Sequence, residues 1–309
     1  MTTNDPVAGG APPAPPVDPD AAVRRPATSL LTWGTVALVL VIVVVLVVIK
    51  LTGTPAVSTP SAAVTPSPAP PGVVKAVTEI PPSVYDAVGV RSSEAALIPP
   101  VLLHGQPALT VDGKPEVVFV GDEFCPYCAA QRWALVAALS RFGSFGDTLY
   151  ATQSGSNEAF PGTPTFTFDG TRYRSKYLAV TLVERYGDQK NAAGTAYAPL
   201  EHPNSTVRAL LAKYDHATGG SPGGVVPFVD VANKAIVAGG QFSPSVLQQL
   251  SANEIASGLT DARDPATQAI VASANYLTAA ICEADGQVPA RVCSSPGVGA
   301  AAHALGFTP

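Results

Sequence analysis

Glu116 to Phe142 reads EVVFVGDEFCPYCAAQRWALVAALSRF, and the fold turns on how that stretch is parsed. EVVFV is a short apolar run suited to a buried strand. The segment Gly121-Asp122-Glu123-Phe124 makes a turn, and Cys125-Pro126-Tyr127-Cys128 follows it directly. From Cys128 to Phe142 the pattern predicts a helix, with Cys128, Arg132, Leu135, Val136, Leu139 and Phe142 on one face at spacings of three and four. A strand, a turn and a helix opening on two cysteines form one local unit, and its chemistry follows from the helix start.

A helix N-terminus carries partial positive charge and unpaired backbone N–H groups, and both favour a thiolate there. Cys125 is therefore the expected nucleophile, with a lowered pKa. Cys128 lies one turn deeper, placed to attack a mixed disulfide on Cys125 and release the partner. Pro126 suits the first helical turn, where no N–H is needed. Tyr127 sits between the thiols and helps set their redox poise. Glu123 and Asp122 lie in the turn, either as aids to proton transfer at Cys128 or as solvated turn residues. A lone C-x-x-C is also half of a zinc site. No second C-x-x-C or nearby histidine pair completes one, since His104, His202, His216 and His303 are scattered. No metal site or cofactor is expected, because the cysteines carry the electrons. Two thiolates handling Cu(I) as a metal chaperone are an alternative. A non-catalytic interaction module is another.

Working outward toward the N-terminus, many of the 31 prolines of the 309-residue chain fall in the first 72 positions. Residues 1–29 are rich in Pro, Ala and Asp and cannot bury a core, so a disordered tail is expected there. Leu30 to Ile49 is an uncharged run of 20 residues closed by Lys50, with Trp33 near its start. Such a run is long enough for a hydrocarbon core of about 30 Å at roughly 1.5 Å per residue. It predicts a transmembrane anchor over 30–50 that contacts the bilayer, with a Pro-rich spacer over 51–75. The net charge is −5 and no basic block exists, which removes the electrostatic basis for nucleic-acid binding.

Toward the C-terminus, strands are expected at Asp147–Thr152 and Thr163–Phe168, a helix at Thr206–Tyr214, and a strand pair at Val225–Val231 and Ala235–Val237. Pro244–Leu259 and Pro265–Cys282 read as helical. The mixture is α/β to α+β. Cys282 and Cys293 are too far apart for a small redox ring and read as a structural disulfide. All four cysteines follow the apolar run, which points to an N-terminus in the cytoplasm and a C-terminal part outside it, as in a single-pass membrane protein.

EFCPYC after EVVFV resembles the active-site strand and turn of the thioredoxin superfamily. The Pro-Tyr dipeptide resembles that of glutaredoxins, and the preceding Phe that of DsbA-like proteins. GGVVPFVDVANKAIVAGGQFSP resembles the superfamily's cis-proline loop and the hairpin after it. The resemblance implies a cis Pro227 beside Cys125, preceded by Val226, with Pro164 as the rival for that role. EFCPYCAAQRWAL, PTFTFDGTRYRSKY, VPFVDV and the late AIC…PARVC are similar to the membrane-anchored thioredoxin-like family known as domain of unknown function family 929, over most of residues 76–309. Phe119 stands where thioredoxins and DsbA-like proteins often carry a buried acid.

The resulting expectation is a thioredoxin-like domain over 76–309, with an inserted subdomain before Pro227 and a helical C-terminal part from about 244, behind a single transmembrane helix. Its expected activity is extracytoplasmic thiol–disulfide exchange. Its expected partners are protein thiols and disulfides, with a redox partner protein or quinone-linked system behind them.

Overall fold

A computed structural model describes residues 67–191, 193–214 and 224–307. Strand β1 (Ser67–Pro68) leads into helices α1 (Pro71–Thr78) and α2 (Pro82–Val88). Both helices begin on a proline, where the missing N–H costs nothing. Short strands β2 (Val101–Leu102) and β3 (Thr110–Val111) precede the long β4 (Lys114–Gly121) and helix α3 (Pro126–Leu139). Strands β5 (Gly143–Ser144), β6 (Tyr150–Gln153), β7 (Pro164–Thr167) and β8 (Arg174–Ser175) come next, then β9 (Ala179–Glu184) and the hairpin β10 (Tyr186–Lys190) and β11 (Tyr197–Pro199). The chain ends with α4 (Ser205–Tyr214), β12 (Phe228–Val231), β13 (Ala235–Ala238), α5 (Ala252–Gly258), α6 (Pro265–Ala284), α7 (Ala290–Cys293) and α8 (Pro296–Leu305).

β4 organises the main sheet. It pairs parallel with β9, from Glu116 opposite Ala179 to Gly121 opposite Glu184, and antiparallel with β12, from Val117 opposite Val231 to Val120 opposite Phe228. β12 turns back into β13, and β2 closes that edge. Alternate residues of a strand face opposite sides. Val117 and Phe119 enter the large core with Val229, Val231 and Val237. Val118 and Val120 enter a smaller cluster with Val183, Phe228 and Ile236, capped by Val207 and Leu210 of α4. Coverage on both faces explains why EVVFV is an unbroken apolar run and not an alternating one.

α3 lies in the large core and packs against both α6 and β7. Every residue from Cys128 to Leu139 is buried. The single apolar face read from the sequence is thus too narrow a description: apolar neighbours surround the helix, and Arg132 is enclosed with the rest. α6 is capped by Asp264, whose side chain accepts from Thr267 N–H, and α8 packs along it.

The structure corrects three expectations. The predicted thioredoxin-like domain behind a transmembrane helix gives way to a mixed α/β body. The strand that comes after α3 at Tyr150–Gln153 does not join β4. It pairs with β7 and β1 in a separate three-stranded sheet, and the parallel partner of β4 is β9. The extra segment therefore falls largely before the second parallel strand and not only between that strand and Pro227. The membrane anchor and the single-pass, extracytoplasmic localisation are corrected as well. Among the described residues no helix is long and apolar enough to cross a membrane. The longest, α6, carries Gln268, Asn275 and Glu283 and buries its apolar residues against protein. The tail at 1–29, the run at 30–50 and residues 51–66 of the spacer lie outside the described residues. The rest of that spacer, 67–75, holds β1 and the start of α1, because Val73 and Val77 bury against the core.

Candidate functional site

Cys125 is the N-cap of α3, with extended backbone at φ −74° and ψ 121°. Its Sγ accepts the Cys128 N–H at 3.2 Å, so sulfur takes the place of the usual capping oxygen. Its own thiol donates to the Val226 carbonyl at 3.8 Å. The backbone of the turn is pinned from behind, with Cys125 N–H donating to Asp122 O at 3.1 Å. Pro126 fills the first helical position. Cys125 is 7% exposed and Cys128 0%. Neither is in a disulfide.

The electrostatics separate the two sulfurs. Hydrogen bonding from Cys128 lowers the Cys125 pKa below its ordinary value, against the opposing effect of burial, and the Arg132 charge adds to the lowering. Burial pushes the Cys128 thiol well above its ordinary value, reinforced by its hydrogen bond and charge interaction with Cys125. One thiol is acidic at the rim, and its neighbour is held neutral beneath it.

The residues singled out from the sequence divide into two groups. Cys125, Cys128, Pro126, Tyr127, Val226 and Pro227 come together. Val226–Pro227 is a cis peptide bond, and Pro164 is not in one. Tyr127 is 40% exposed at the rim, its ring edge-on to Phe160 at 6.0 Å. Gly240 lies so close to Tyr127 that a Cβ there would fall 2.9 Å from the Tyr127 ring. Glu123 is buried, and burial raises its pKa while a hydrogen bond with Thr167 opposes the rise. Asp122 is occupied: Arg185 donates to both its carboxylate oxygens, at 2.9 and 2.8 Å. Cys282 and Cys293 form a disulfide between α6 and α7, with Cα atoms 5.6 Å apart. Among the described residues no three or more of His, Cys, Asp and Glu gather as metal ligands do.

Several neighbours of the thiols escaped the sequence reading. Arg132, placed by its spacing on the Cys128 face of the helix, is fully buried and donates from Nε and Nη2 to both oxygens of Glu184 at 2.8 and 2.7 Å. Its Nη2 also donates to Asp122 O at 2.9 Å. Gln131 and Gln241, both buried, exchange two hydrogen bonds and tie α3 to the segment after β13. Tyr197 of β11 stacks on Phe124 with ring centroids 3.9 Å apart, so the β10–β11 hairpin braces the residue before Cys125. The signal for Arg132 was present as its i+4 spacing from Cys128. The signal for Glu184 was absent, because 52 residues separate it from Arg132.

Compared with known proteins, residues 104–283, more than half of the chain, match the family model described as Domain of unknown function (DUF929). No curated protein and no solved structure matches the chain.

Proposed function

We propose that this chain, which belongs to the DUF929 family, is a thiol–disulfide oxidoreductase that works through Cys125 and Cys128 on the thiols and disulfides of protein partners. The observation that carries this reading is the asymmetry of the pair: the rim sulfur accepts a backbone N–H at a helix N-terminus, and the second sulfur is buried one turn away. A thiolate at a helix start next to a protected thiol suits two-step exchange. Cys125 attacks a partner disulfide and forms a mixed disulfide. Cys128 then attacks the Cys125 sulfur and frees the partner as a thiol. In the opposite direction a partner thiolate opens the Cys125–Cys128 bond to form the mixed disulfide on Cys125. A second partner thiolate then attacks the partner sulfur, so that the partner leaves with a disulfide and Cys125 is left as a thiolate.

The exposed ring of Tyr127, with Phe160 beside it, supports a protein partner over a small thiol, because an apolar rim adds contact around the reacting sulfur. Glu123 supports the site from behind the turn: its N–H donates to Tyr186 O at 2.8 Å.

The test is to equilibrate the full chain in glutathione buffers of graded ratio and measure the fraction with a Cys125–Cys128 bond. A potential between about −270 and −120 mV is expected, the range spanned by reductases and oxidants of this chemistry. A pair that never equilibrates with glutathione would overturn the reading.

A further inference from the structure

Resolution of the mixed disulfide is the step that the site makes hard, and a role for any residue in it rests on the exchange activity proposed for Cys125 and Cys128. In that step the Cys128 thiolate attacks the Cys125 sulfur. The Cys125–Cys128 bond forms and the bond from Cys125 to the partner breaks. The partner sulfur leaves with the electron pair and takes a proton from solvent, so the cysteine pair is oxidised and the partner reduced. Cys128 is 0% exposed, and burial of this kind disfavours the thiolate it must become. A buried anion forms readily only where a positive charge or a donor is already in place.

Arg132 meets that need. It lies four residues beyond Cys128 on α3, which puts the two on one face of the helix, one turn apart. It is 0% exposed, and Glu184 on β9 fixes its head through two hydrogen bonds. The Asp122 carbonyl accepts from both Arg132 Nη2 and Cys125 N–H, which links the guanidinium to the backbone of the thiol turn. Its remaining nitrogen, Nη1, is buried and has no hydrogen-bond partner among the described residues. Buried donors are nearly always satisfied, so an idle one on the residue one helical turn beyond Cys128 calls for a role. We propose that Arg132, held by Glu184, is the positioning residue for the resolving step, with its charge and its idle N–H stabilising the Cys128 thiolate as it forms.

Cys125, Arg132 and Arg185 act on Cys128 through charge, the Asp122 backbone acts on it through a hydrogen bond, and Glu123 and Glu184 act on Arg132. Arg185 is engaged by Asp122. The Arg132–Glu184 pair is therefore the one to vary.

The experiment uses the full chain, with Cys125 and Cys128 reduced and the Cys282–Cys293 bond intact, and 5,5′-dithiobis(2-nitrobenzoate). Attack by Cys125 releases a first equivalent of thionitrobenzoate, and attack by Cys128 on the mixed disulfide releases a second. Replacing the pair together, Arg132→Met with Glu184→Leu, removes both charges and leaves no buried ion unpaired. The second release is expected to slow by about tenfold at pH 7, with its pH midpoint raised by about one pH unit, while the first changes by less than about threefold. Glu184→Gln keeps Arg132 and removes the opposing charge, so it lowers the midpoint of the second release. A purely structural role predicts no such opposite movement. If either variant, folded by circular dichroism, leaves that midpoint at the wild-type pH, Arg132 has no part in resolution although exchange stands. If the wild-type chain releases no second equivalent, the exchange reading falls, and the role of Arg132 falls with it.

Discussion

Cys125 and Cys128 stand three residues apart and are unbonded, whereas Cys282 and Cys293 stand 11 apart and are joined. All four sulfurs are shielded, so burial alone does not divide the pairs. The difference lies in what surrounds them. The first pair sits on a helix start, with a backbone N–H on one sulfur and a buried cation below. The second ties the end of α6 to the short α7, between apolar residues of the large core. A backbone N–H at a helix terminus favours the thiolate of the first sulfur, and complete burial keeps the proton on the second. Without such groups, two cysteines in apolar surroundings act as a cross-link.

Substitutions at the first pair break that comparison most severely. Cys125→Ser is expected to abolish exchange with glutathione and with protein disulfides, and retained turnover would remove Cys125 as the nucleophile. Cys128→Ser is expected to keep the first attack and lose the second, leaving a stable adduct of one equivalent visible by mass spectrometry. Cys128→Ala goes further and removes the side-chain hydrogen bond that most favours an acidic Cys125. The pH midpoint of Cys125 alkylation in that variant rises toward the free-thiol value of about 8.5.

The same shifts set how the stability of the reduced chain varies with pH. The folded Cys125 pKa is depressed, so its contribution is present above the unfolded value and is lost as pH falls through the folded one. The Cys128 pKa is raised, so its contribution is present below the unfolded value and is lost as pH climbs through the folded one. Denaturant titrations of reduced chain across pH 6–10, below the range where the buried tyrosines Tyr85 and Tyr173 add their own loss, should show the Cys128 contribution as a fall above about pH 8.5 that is smaller in Cys128→Ser.

The second pair predicts a smaller and different effect. Replacing Cys282 and Cys293 together by Ser should cost about 2–3 kcal/mol, from the loop that the bond closes, and leave the rate at Cys125 unchanged. A drop in exchange would mean that the two pairs communicate. Smallest of all, Tyr197→Leu removes the ring stacked on Phe124. It should cost about 0.5–1.5 kcal/mol beyond the area lost, read by denaturant unfolding with exchange followed alongside.

The legible parts of this molecule are those decided within a few residues. The span from strand β4 through the turn to α3 could be read directly, since an apolar run, a turn and a 3.6-residue period are local signals. The β12–β13 hairpin was read within a few residues as well. β9 was not read. AVTLVE is largely half-buried, lacks Gly or Pro punctuation at its ends, and comes after two strands that belong to another sheet. Helix α1 was hidden in a Pro-rich stretch because its two prolines, Pro70 and Pro71, mark its start and do not interrupt it.

The sequence alone determined the placement of two cysteines at i and i+3 on a helix N-terminus, because the backbone of one helical turn sets that arrangement wherever the helix lies. The raised Cys128 thiol depends on burial, which packing decides. The resemblance of the proline loop implies Val226 and Pro227 beside Cys125, and Val226 does reach it from 101 residues away. Tertiary structure alone decided what holds Arg132, since Glu184 reaches it from 52 residues away. Those meetings depend on which strands flank β4, and strand pairing at such separations is set by burial of the whole sheet, not by any local pattern.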